Sequence, residues 1–295
     1  MKETSKSKRL ILAVLAVVVG AFMVAVAPFL IQTSLERVVA ALVKISAEKP
    51  AYASGILLFS YIFPLYRGLI FIGGIILILL ARLIYTGEEW TYPVALLASA
   101  FPSAGGMLLF MPYVSFIDGY PVPMTVSMVG LAFFWSLILL RNVDKWIKWG
   151  QFLALTFSGM LSTHAVITGT GNLRTLLTRP DKPFYDGLGW WILSWSQPIQ
   201  WVCVVLLFIA IYKIAERKHS GWWLGLISVT SLVAIDVPMQ VIRLVIAKST
   251  AWDYSYGLPM IIGLFFVLLH PKFKKALIHE EECCCKDKEL FTTKP

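Results

Sequence analysis

Asp236, Gln240 and Arg243 are spaced four and three residues apart, so on a helix they share one face. The stretch around them, from Gly221 onward, otherwise has the composition of a membrane-spanning helix. An ionisable side chain inside a bilayer is costly unless paired or hydrated, which makes Asp236 a functional candidate. His164 lies in a second apolar run beside Ser162 and Thr163, and Gln197 and Gln200 lie in a third. Arg67 interrupts a fourth. The expected ligand- or ion-binding set is therefore Arg67, His164, Gln197, Gln200, Asp236, Gln240 and Arg243.

Depth gives these residues a common address. Counting from the basic or aromatic residues at one end of each run, at about 1.5 Å per residue, Arg67, His164, Gln197 and Asp236 fall about 21–24 Å in. That is the outer third of a ~30 Å hydrocarbon core. A hydrated cavity open to the outside would meet the need of Asp236 for water or a cation, with Arg67 or Arg243 as the cation. A structural account of the same residues is also open. The arginines can snorkel to headgroups, and His164 can hold an ordinary buried hydrogen bond.

Catalytic chemistry has a thinner basis. His164 with Asp236 makes an acid–base pair or half of a metal site. No second histidine shares the layer, and the His-Glu-x-x-His signature is absent. Phe157-Ser-Gly-Met160 is not a nucleophile elbow, and Gly169-Thr-Gly171 lacks the spacing of a dinucleotide loop. Cys203 falls near mid-membrane, too deep to join the layer. No metal or cofactor is expected.

The elements that must position these residues follow from composition. Of 295 residues, 58% are hydrophobic and 15% charged. Soluble domains have about 25% charged residues, so the fold class is an all-α polytopic membrane bundle. About eight spans are expected, near 10–31, 68–85, 92–116, 122–140, 150–168, 190–212, 221–242 and 254–270. Thr33-Ser-Leu-Glu36 reads as a capping box. It opens a helix ended by Pro50, expected to lie on the membrane surface or to cover the bundle. Span 3 carries Ser99 and Ser103, small residues four apart that let helices approach closely. The first run is too long for a signal peptide and counts as an uncleaved span. Gly169 to Gly187 is expected to be the longest loop.

The net charge of +9 sits at the ends of the apolar runs, which signals topology and excludes nucleic acid. Outside the tail, the face with the N-terminus holds fourteen Lys and Arg and the other face nine, so both termini are expected in the cytoplasm. The expected location is the cell membrane, with the bilayer as partner. Residues 277–295 form a polar tail in which Cys283, Cys284 and Cys285 are adjacent, an arrangement that cannot easily surround one metal ion.

Two function classes remain. The first is a non-enzymatic transporter, or a ligand-binding or accessory subunit, for a small polar or headgroup-like ligand; assembly into a membrane complex or homo-oligomer fits it. The second is a membrane-embedded enzyme acting on a lipid or lipid-linked substrate from the outer face, with His164 and Asp236 as catalytic residues.

Overall fold

The computed structural model describes residues 4–177, 187–246 and 254–278. Every regular element among them is helical. The order is α1 (Lys6–Ala25), α2 (Ala27–Glu48), α3 (Ala53–Thr86), α4 (Thr91–Phe116), α5 (Val122–Leu139), α6 (Lys145–Leu177), α7 (Leu188–Ala215), α8 (His219–Val241), α9 (Leu258–Leu269) and α10 (Pro271–Leu277). Seven segments are long and apolar enough to cross a membrane, α1 and α2 counting as one; the bent pair Ser255–Leu269 and Pro271–Leu277, at 78°, makes an eighth if taken as a single span. The cysteine run and residues 279–295 lie outside the described residues, as do residues 178–186 of the expected loop before Gly187.

The first span departs from expectation in an instructive way. α1 ends at Ala25, before the expected end at Ile31, because Pro28 has no N–H with which to continue the ladder. A new helix starts at once and runs to Glu48, straight through the expected cap. The Thr33 hydroxyl donates backward to the Phe29 carbonyl at 2.8 Å, and Ser34 to Leu30 at 2.7 Å, so neither caps anything. α2 continues alongside α3, covering the bundle as one of the two expectations had it. Gly20 meets Gly74, Gln32 meets Arg67, and Leu42 meets Gly55. The paired numbers sum to nearly the same value throughout, as in one antiparallel hairpin. Ala27, Ile31, Ser34, Val38 and Leu42 form its buried stripe.

At the face carrying the N-terminus the chain is tied across several elements. The Arg9 guanidinium donates to the Thr86 carbonyl at 2.8 Å, and Lys8 to Asn142 at 2.6 Å. α3 stops at Gly87, whose φ of +92° is the left-handed conformation that ends helices cheaply only in glycine. Gln151 is the hub of this face. Its Oε1 accepts from Tyr92 and Arg141, while its Nε2 donates to the Ile214 and Ala215 carbonyls at the end of α7. These bonds satisfy orphan carbonyls that a helix end leaves unpaired.

On the opposite face the helices are unequal in length. α3 and α6 have 34 and 33 residues. At about 1.5 Å per residue each is about 50 Å long, well beyond a ~30 Å core. α6 thus runs nine residues past its expected end at Thr168, and Gly169 does not break it. The reason is lateral support: a Cβ at Gly169 would lie 2.6 Å from the Trp201 ring, so α7 packs directly on the glycine. α8 ends in a π turn, Ile242–Ile246, shortly after Pro238. Pro238 leaves its own ladder position without a donor, and such one-turn π segments recur at functional sites.

Candidate functional site

The local sequence of α8 carries Asp236 inward, on the buried stripe with Leu232, Met239 and Gln240. Its carboxylate is 1% exposed. One oxygen, Oδ2, faces Nε2 of His164 at 3.2 Å, and the other, Oδ1, accepts from the Gln200 amide at 2.8 Å. Three helices, α6, α7 and α8, therefore meet at one carboxylate.

The cluster extends beyond the expected residues. Gln200 Oε1 accepts from the Asn172 amide at 3.1 Å, and the same amide donates to Ser196 at 2.7 Å. Asn172 Oδ1 in turn accepts from the Tyr254 hydroxyl. Gln240 closes the far end, its Oε1 accepting the backbone N–H groups of Tyr254 and Ser255, both at 3.2 Å. These are N–H groups at the start of a helical segment, which lack intrahelical partners. The result is an unbroken run of hydrogen bonds, Tyr254–Asn172–Gln200–Asp236–His164, nearly all of it buried. Such a network rigidifies its surroundings when every member is satisfied.

Not every sequence candidate joins it. Arg67 points to the other side of α3 and donates to Gln32 at 2.6 Å, against Pro28, Pro64 and Phe71. Gln197 is half-buried on α7, and its side chain takes no part in the cluster's hydrogen bonds. Arg243 lies on the π turn with its guanidinium 5.8 Å from the centre of the Tyr254 ring. Asn172, Ser196 and Tyr254 are members that the sequence reading passes over. Ser196 and Gln200 are four apart on α7, as are Thr168 and Asn172 on α6, and that spacing was the available signal once α6 is allowed to continue.

Beside the cluster lies a cleft of about 710 Å³, walled by α3, α4, α5 and α6, with Tyr254, Tyr256 and Met260 also in its lining. Its walls are mainly apolar, including Phe63, Met107, Phe134 and Met160. His164 reaches its surface, whereas Asp236, Gln200 and Gln240 stand behind it. The expected polar cavity is thus two adjoining things, a buried hydrogen-bonded cluster and an apolar cleft, with His164 shared. Gly257 packs so tightly on the imidazole that a Cβ there would lie 2.5 Å from Nε2. Among the described residues no group of three His, Cys, Asp or Glu could hold a metal ion.

Comparison with known proteins finds no similarity: no family model, no curated protein and no solved structure matches this chain.

Proposed function

We propose that this chain is a multi-pass membrane protein that binds a lipid-like amphiphile in the cleft between α4–α5 and α6, as a carrier or a binding subunit. The observation that carries this reading is the cleft itself. Its volume of about 710 Å³ falls within the roughly 300–1,000 Å³ of small-molecule sites, and its mainly apolar wall with a few convergent polar groups is their usual chemistry. Along α6 its lining runs from Leu155 to Thr175. At about 1.5 Å per residue that is ~30 Å, the thickness of a hydrocarbon core, so the cleft suits a chain lying along the membrane normal. The basic loops favour a cytoplasmic N-terminal face and eight crossings, which turns the mouth at Arg174 and Arg243 outward.

Gly159 offers the test. It lines the cleft, and a Cβ there meets nothing within 4 Å, so a larger side chain enters open space. Native mass spectrometry of the purified full chain should find one lipid retained through detergent exchange. Gly159→Phe should lose it while keeping the wild-type melting temperature. Equal retention by both proteins would remove the cleft from consideration.

A second reading rests on a specific contact, the 3.2 Å approach of His164 to Asp236 at the cleft wall. An imidazole oriented by a carboxylate is the geometry of a general base, which would suit an enzyme acting on a lipid-linked substrate. Lipid analysis of membranes expressing the wild type and His164→Ala separates the two. An enzyme changes the chemical identity of a lipid in a His164-dependent way, and a carrier changes none.

A further inference from the structure

We infer that the mouth of the cleft selects membrane lipids with an anionic headgroup, held by Arg174 and Thr170; this rests on the cleft being a lipid site. Among the described residues the lining contains no Asp or Glu, while Arg174 and Arg243 belong to it. Asp236 does not compensate, since it stands behind His164 with both carboxylate oxygens already engaged. The charged side chains among the described lining residues are therefore cationic.

Arg174 is placed to meet a headgroup. It lies 25 residues beyond Trp149 along α6, about 37 Å, which is past a ~30 Å core and within the headgroup layer. Its guanidinium rests 5.4 Å from the Tyr52 ring centre, held by an aromatic face. No ion pair with a carboxylate engages it among the described residues. A guanidinium fork in this setting presents paired N–H donors matched to phosphate or carboxylate oxygens.

Thr170 supplies the independent observation. It lines the same cleft one helical turn below Arg174, is 5% exposed, and its hydroxyl has no hydrogen-bond partner among the described residues. Its neighbours Thr168 and Thr175 both donate to carbonyls of their own helix. A buried hydroxyl left open is uncommon, and residues at i and i+4 are adjacent on a helix surface. Gly171 intrudes no side chain between them, and a Cβ there would meet nothing within 4 Å. An oxygen of the headgroup can thus accept from Thr170 and Arg174 together while the chains extend down the apolar wall.

The experiment titrates the detergent-purified full chain with dioleoyl phosphatidylglycerol, dioleoyl phosphatidylcholine or inorganic phosphate and counts bound copies by native mass spectrometry. Wild type should bind the anionic lipid at least about ten-fold more tightly than the zwitterionic one, as for one charge-assisted hydrogen bond. Arg174→Gln and Thr170→Val should each reduce that ratio with little change for phosphatidylcholine, and Arg174→Lys should restore part of it. Inorganic phosphate alone should bind far more weakly than the lipid. The inference falls if wild type shows no headgroup preference, if Arg174→Gln keeps it, or if phosphate competes as well as the lipid. If neither lipid binds wild type, or Gly159→Phe weakens neither, the lipid-site reading itself has failed.

Discussion

Asp236 is the residue on which the described interior depends most. Its carboxylate is removed from water, so its desolvation must be offset by the two donors that face it, His164 and Gln200. Asp236→Ala leaves both donors buried and unpaired. The expected loss is about 3 kcal/mol of stability, read as a lower melting temperature in detergent. Tyr254→Phe removes only the terminal donor and strands Asn172 Oδ1, for an expected loss of about 1–2 kcal/mol. An Asp236→Ala variant as stable as wild type would mean that the cluster is filled by something other than these bonds. The i, i+4, i+7 spacing of Asp236, Gln240 and Arg243 was legible in the sequence, and so was the common depth of Asp236 and His164. Which donor faces which oxygen was not, because rotation of α6 and α7 about their axes decides it.

Helix against helix, small residues govern the distances. Ser99 and Ser103 stand out in the sequence of α4, and the Ser103 carbonyl does accept the Ser127 hydroxyl of α5 at 2.7 Å. The tighter contact is at Gly106, where a Cβ would lie 2.5 Å from the Ser127 nitrogen and 2.8 Å from the Pro123 carbonyl. Backbone cannot swing aside as a side chain can. Gly106→Ala should therefore force α4 and α5 apart and cost about 1–3 kcal/mol. Gly68→Ala, where nothing lies within 4 Å, should leave stability unchanged or raise it by up to about 1 kcal/mol through helix propensity. Thermal unfolding of the two variants side by side checks the pair of signs. Equal destabilisation would show that glycine content, and not close approach, matters in this chain.

Across the whole molecule, the bonds at one face contrast with the open cleft near the other. Lys8, Arg9, Arg141 and Gln151 join α1, α3, α4, α6 and α7 at the N-terminal face. The cleft lies between α4, α5 and α6, and its lining reaches Arg174 near the other face. The orientation proposed from the basic loops has its own test. In a cysteine-free background, Asp118→Cys on the turn between α4 and α5 should react with an impermeant maleimide added outside intact cells. Asn142→Cys, beside Lys8, should react only after the membrane is opened. The reverse pattern would invert the topology and turn the cleft's mouth toward the cytoplasm.

Composition and apolar run length were enough to determine an all-helical architecture with about seven described helices apolar enough to cross a membrane, because lipid leaves the backbone no partner but its own helix. Helix ends were less legible. Thr33 and Glu36 carry a start signal that α2 overrides, and Gly169 carries a stop signal that α6 overrides, since packing on α3 and α7 outweighs a cap or a glycine worth about 1 kcal/mol. Only the tertiary structure decided that Arg67 faces Gln32 while His164 and Asp236 face each other, and that an apolar cleft lies beside them. Depth along a helix is a one-dimensional count that sequence contains; direction around its axis is set by the neighbours it packs against.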